Sequence, residues 1–177
     1  KRIVSLEALA RLFDGELGYI PPAEFIPIAE KNGDIIRIGE IVLEECCKFL
    51  SKHVLSNMSL GIHSIQINIS VAQCMQQNLK EAILPILQKY HIPTSMIVLE
   101  LTESTAINAP ALMEHHMKEL GNAGISFAMD DYGTGNANCS YLMRFPFREV
   151  KMDRDMTLAY FNNETARIVI ENEIRTM

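Results

Sequence analysis

A chain of 177 residues with 48% hydrophobic content can bury a sizeable core, and its length argues for one domain. Its formal net charge of −6, with lysines and arginines dispersed rather than gathered in a stripe, argues against DNA or RNA binding. No apolar run approaches the roughly 20 residues that span a bilayer, and Lys1-Arg2-Ile3-Val4-Ser5 is no signal peptide, so the chain reads as a soluble, cytoplasmic domain.

Lys1 to Leu9 reads as a strand and Arg11 to Gly18 as a polar, glycine-containing loop. Pro21-Pro22 opens a helix, since proline suits a first turn; Phe25, Ile28 and Ala29 form its apolar face and Asn32-Gly33 ends it. A second helix runs from an Asp34 N-cap to about His53, with Ile35, Ile38, Ile41, Val42, Cys46 and Phe49 at spacings of three and four. Ile65, Ile67 and Ile69 alternate with Gln66 and Asn68, which is strand periodicity that leaves open which set faces inward. Val71 to Tyr90 is helical in pattern, with Pro85 expected to bend or split it. Met96 to Leu101 reads as a strand, Ala109 to Leu120 as a helix closed by Gly121, Ile125 to Met129 and Phe147 to Met152 as strands, and Asn163 onward as helix. Cys46, Cys47, Cys74 and Cys139 lack CxxC spacing, and adjacent cysteines on a helix point about 100° apart, so reduced, partly buried thiols are expected.

Strands alternating with helices imply parallel pairing through right-handed crossovers, and so a (β/α) barrel. Five strand signals are too few to close an eight-stranded barrel of roughly 250 residues. The last segment, Thr165 to Met177, stops inside a helix pattern. The expectation is an incomplete (β/α) barrel, a fragment of a larger one.

Glu7, Asn68, Glu100, Asp130 and Asp131 each stand where an apolar run gives way to a loop. In a barrel such positions converge at the C-terminal ends of the strands. Carboxylates with one amide suit Mg²⁺ or Mn²⁺ rather than zinc, which prefers His and Cys. Asp130-Asp131-Tyr132-Gly133-Thr134-Gly135 is the densest signal, and its paired carboxylates can serve two ions; an Asp-rich turn is the alternative. Lys151 has two open readings, a charge that orients attacking water or a phosphoryl oxygen, or an ion pair with Asp153 or a barrel carboxylate. Adjacent His115-His116 do not share a helix face and read as solvated surface.

Glu7-Ala8-Leu9 with Arg11, Pro22 to Glu30, Asn68-Ile69-Ser70, Leu99-Glu100-Leu101-Thr102-Glu103-Ser104, the Asp130-Asp131 segment and Lys151-Met152-Asp153 occur in order across nearly the whole chain. This set resembles the EAL-domain family of cyclic di-GMP phosphodiesterases. The resemblance implies a modified TIM barrel that hydrolyses cyclic di-GMP to linear pGpG with two Mg²⁺ or Mn²⁺ ions. It places Glu7, Asn68, Glu100 and Asp130 on the first ion, Asp131 on the second, and Lys151 on the attacking water. Arg11 would contact a substrate phosphate, and Glu103 would steady the loop after Asp131. The family's EGVE-like glutamate for the second ion is not found before Met177, so this fragment alone is expected to be inactive, within a parent carrying regulatory domains and free to be membrane-tethered. A homodimer is a further expected partner. The readings left beside the enzyme are a degenerate cyclic di-GMP receptor and a barrel interaction or dimerisation module.

Overall fold

The computed structural model describes residues 2–56, 61–102, 110–134 and 139–176, without the side chains of 139–141 and 176. Five strands, β1 (Ser5–Ala8), β4 (Ser64–Asn68), β5 (Ile97–Thr102), β6 (Ser126–Tyr132) and β7 (Glu149–Met152), form one sheet in the order β1-β4-β5-β6-β7. Every pairing is parallel. The sheet is curled into a half-barrel with the helices on its outer side, as the alternation of strand and helix signals predicts.

The faces of this sheet differ sharply in polarity. Ile65, Ile67 and Ile69 of the β4 segment, Ile97, Leu99 and Leu101 of β5, and Phe127 and Met129 of β6 belong to one buried core. They share it with Leu43, Cys46, Cys47 and Leu50 from the second helix and its extension, with Leu79, Ile83 and Leu87, and with Met113, Met117 and Leu120. Each isoleucine, leucine, phenylalanine or methionine among them, fully buried, contributes roughly 1.5–3 kcal/mol. The alternate residues, Gln66, Asn68, Glu100, Asp130 and Lys151, are left to the concave face. The open question of which β4 set points inward is thus settled: the isoleucines pack on the helices and the polar pair faces the axis.

Local chemistry explains most element ends. Pro22 starts helix α1 (Pro22–Asn32), and Gly33, at φ 87°, ends it in the left-handed conformation. Helix α2 (Ile35–Phe49) follows and continues as one wider π-type turn over Leu50–Leu55. Asp34 stands at its N-cap without making the cap bond, because its carboxylate accepts instead from Asn32 Nδ2 at 2.6 Å.

Several sequence expectations need correction. Residues 11–18 are not simply a loop: β2 (Leu12–Asp14) and β3 (Gly18–Ile20) pair antiparallel as a hairpin. The 71–90 segment breaks at 75–78, not at Pro85, giving helices Val71–Cys74 and Leu79–Lys89. Pro85 is exposed, so water can satisfy the carbonyl its missing N–H frees. Helix Pro110–Asn122 runs through Gly121; Gly124, at φ 96°, closes it, with Ile125 N donating to Leu120 O at 3.0 Å. β6 extends to Tyr132, so both aspartates lie inside the strand. Helices Cys139–Arg144 and Arg154–Asn162, the latter followed by helix Glu164–Thr176, carry no expectation of their own. His116 is buried rather than solvated, while His115 is exposed beside Glu119. Burial pushes the His116 imidazole below the usual 6.5. Cys46, Cys47 and Cys74 are free and buried, their thiols pushed up by desolvation to about 11, 12 and 12.

A capping box fixes the turn just after Asn68: Gln73 N donates to Ser70 Oγ, and Ser70 N donates to Gln73 Oε1. Gly39 of α2 packs on the same glutamine so closely that a Cβ there would overlap Gln73 Nε2. Ser70→Ala is therefore expected to lower unfolding free energy by about 1 kcal/mol, read from urea denaturation.

Candidate active site

The concave face gathers the sequence-derived residues at one end of the half-barrel. Asn68 of β4 is in register with Glu100 of β5, and Thr102 of β5 with Asp130 of β6. Asn68 Nδ2 donates to Glu7 Oε1 of β1 at 3.5 Å, a long bond. Lys151 of β7 reaches across the curl: its Nζ lies 3.6 Å from Glu7 Oε2 and pairs with Glu100 Oε1. Of the two ion-pair partners read for it from the sequence, Lys151 pairs with barrel carboxylates, and no pair with Asp153 forms among the described residues. Asp153 instead caps helix Arg154–Asn162, accepting from Asp155 N at 2.8 Å.

Asp130 and Asp131 owe their placement to a β-bulge. β6 pairs Met129 with Val150 and Tyr132 with Met152, so two residues of β6 stand opposite Lys151 alone. Asp131 occupies the left-handed region at φ 53°, which suits Asp or Asn better than most residues. Its carbonyl accepts from Thr134 N at 3.3 Å and Thr134 Oγ1 at 2.9 Å. Tyr132, next along, is buried in the helix-side core and donates to Glu173 Oε1 at 2.6 Å. That tether escaped the sequence reading, because a tyrosine after two aspartates gives no hint of its distant partner.

Electrostatics in the cluster are set by burial and crowding. The Glu100 side chain has no solvent exposure, and its Oε2 accepts no hydrogen bond among the described residues. Burial holds its pKa above 4.5, with Glu7 and Asp130 adding to the rise and Lys151 opposing it. Asp131 is likewise raised, by burial first and then by Asp130 and Asp153. For Lys151, burial alone would lower the pKa, but Glu100, Glu7 and Asp130 outweigh it and hold the ammonium above 10.5. It is a fixed positive charge at neutral pH, not a proton acceptor.

Among the described residues no three Asp, Glu, His or Cys side chains close to metal-binding distance. The donor set nevertheless fits a hard cation: a buried carboxylate with an unused oxygen, a second carboxylate, an amide, and Asp130 within Coulombic reach, with no imidazole or thiolate. Arg11 lies exposed, donating to Ala10 O at 2.9 Å, and lines a cavity of about 440 Å³ together with Asn68, Ser70 and Gln73. Glu103 lies outside the described residues. Beneath the cluster, Gln66 Nε2 donates to Glu149 Oε2 at 2.9 Å, a pair the sequence reading passed over. The available signal was a lone amide in the middle of an isoleucine-rich strand.

Comparison with known proteins converges on one family. The EAL-domain profile matches residues 1–177. The bifunctional diguanylate cyclase/cyclic di-GMP phosphodiesterase MucR of Pseudomonas aeruginosa is 33% identical over 152 residues, 86% of this chain and 22% of that protein. The cyclic di-GMP phosphodiesterase PdeR of Escherichia coli is 33% identical over 150 residues, 85% of this chain and again 22% of the relative. The chain thus spans about a fifth of the length of the curated relatives it matches. Among solved structures, the MucR phosphodiesterase in complex with c-di-GMP superposes with a TM-score of 0.87 at 29% identity, covering 98% of this chain and 69% of that one. The FimX EAL domain of Pseudomonas aeruginosa, at 19% identity and a TM-score of 0.85 over 97% of this chain and 67% of that one, shares the fold.

Glu100 generates a pH prediction. Its folded pKa is raised, so its favourable contribution to stability is complete below 4.5 and is lost as pH rises through the folded value. Glu100→Gln has no proton to lose. In chelator, urea denaturation is expected to show the variant gaining on the parent as pH rises from 4.5 toward the folded value; a pH-independent difference would contradict the assignment.

Proposed function

The chain belongs to the EAL-domain family, and from that premise we propose that it hydrolyses one phosphodiester of cyclic di-GMP to linear pGpG. The observation that carries this reading is the convergence of Glu7, Asn68, Glu100 and Lys151 from four strands onto one polar mouth. Relatives named as cyclic di-GMP phosphodiesterases and a 29% identical structure in complex with c-di-GMP supply the substrate class.

Glu7, Asn68, Glu100 and Asp130 would hold one Mg²⁺ or Mn²⁺ ion and Asp131 a second. Such ions, when bound, reverse the sign of an acidic site toward an anionic phosphodiester and lower the pKa of bound water. The residues then divide the remaining work. Lys151, protonated throughout the neutral range, holds and orients the attacking water and offsets negative charge that develops on phosphoryl oxygens. Arg11, at the rim of the adjoining cavity, contacts a substrate phosphate. Acidity of the chain is no obstacle to such a substrate, because the field at the mouth, not net charge, decides binding.

Two measurements test this. With Mn²⁺ and cyclic di-GMP, the full-length protein is expected to release pGpG, and Lys151→Ala to lower kcat about a hundredfold or more while changing KM little. Binding of cyclic di-GMP without any product would mark a receptor instead. Asp131→Asn tolerates the same left-handed backbone but removes one of three crowded carboxylates. It is expected to raise the metal-free melting temperature while lowering turnover; a variant with a lower melting temperature would show that Asp131 is not under repulsion.

A further inference from the structure

Gln66 and Glu149 stand two residues before Asn68 and Lys151 on the same face of their strands. Their strands, β4 and β7, are not neighbours, since β5 and β6 lie between them. In a flat sheet three strand spacings amount to about 14 Å, and side chains leaving one face in parallel could not meet across it. The 2.9 Å bond from Gln66 Nε2 to Glu149 Oε2 exists only because the sheet is curled. The strands between present short side chains to the concave face, among them Val98 and Ala128, both fully buried, and they leave room for the bond to pass.

Lys151 depends on the same curvature. It lies on β7 and reaches Glu7 on β1, four spacings away in sheet order. Gln66 is 8% exposed, so loss of its acceptor would leave a buried amide N–H to be satisfied elsewhere, a cost that favours keeping the curl.

We propose that Gln66 and Glu149 form a cross-sheet clasp that sets the curl of the half-barrel and so carries Lys151 onto Glu100 and Glu7. Both are positioning residues; their effect on turnover rests on the phosphodiesterase reading, while the clasp itself does not.

The test labels lysine amines of the full-length, metal-free protein with an acetylating reagent and follows each site by mass spectrometry, with Lys48 and Lys89 as references. Gln66→Leu and Glu149→Ala are each expected to raise the Lys151 labelling rate about tenfold, with the reference lysines unchanged. Glu149→Gln removes the charge but keeps an oxygen for Gln66 Nε2, and is expected to label at the parent rate. Because Glu149 is exposed, its variants stay informative if Gln66→Leu fails to fold. An unchanged Lys151 rate, an equal rise at all lysines, or a Glu149→Gln rate matching Glu149→Ala would overturn the clasp. In parallel, kcat for cyclic di-GMP is expected to fall in Gln66→Leu and Glu149→Ala with KM held, and to be kept in Glu149→Gln. A parent protein that releases no pGpG would sink the phosphodiesterase reading and leave the labelling to decide the clasp.

Discussion

A β-strand cannot choose its two faces independently: each residue sent to one side commits its neighbours to the other. In this chain the outward positions of the central strands are filled with isoleucine, leucine, phenylalanine and methionine that pack on helices. The inward positions are therefore free to be polar, and the curl of the sheet aims them at one another. Everything at the mouth depends on this division. The helix-side core supplies the stability, and the concave face carries groups that would be costly in a conventional core.

The cost is visible at Glu100. A carboxylate wholly removed from solvent, with one oxygen unpartnered, is stable only where positive charge is close. Lys151 supplies that charge and is itself held protonated by the carboxylates it serves. The same mutual dependence keeps acidic groups and one cationic group side by side at the mouth. Removing either partner of such a buried pair exposes the other's desolvation cost, typically several kcal/mol, so the pair is a structural element as much as a chemical one.

Much of this was legible in the sequence, for reasons that differ by residue. Period-two alternation over Ile65 to Ile69 marked a strand, but only packing could say that Gln66 and Asn68 face the axis. Pro22 and Gly33 bounded α1 because their backbone preferences act locally. Pro85 misled, since its missing N–H frees the Glu81 carbonyl on an exposed face, where water can bond it, and the helix continues. Gly121 misled because it lies within the helix without positive φ, the true stop being Gly124, where the left-handed conformation occurs. Glu7, Asn68, Glu100, Asp130 and Lys151 could be read as a set because strand ends recur in order. Partners such as Tyr132 with Glu173, or Gln66 with Glu149, are separated by 41 and 83 positions and are fixed by tertiary geometry alone.

The bulge at Asp131 has a consequence of counting. Regular alternation would put Tyr132 on the same side as Asp130, yet the ring lies in the helix-side core while Asp130 stands at the mouth. One supernumerary residue inverts the parity of the strand, letting two adjacent carboxylates share the polar rim without forfeiting the hydrophobic anchor that follows. A single deletion between Met129 and Tyr132 would thus do more than lose a charge: it would cancel the inversion and force a choice between anchor and rim. The length of this short segment is constrained as tightly as its composition.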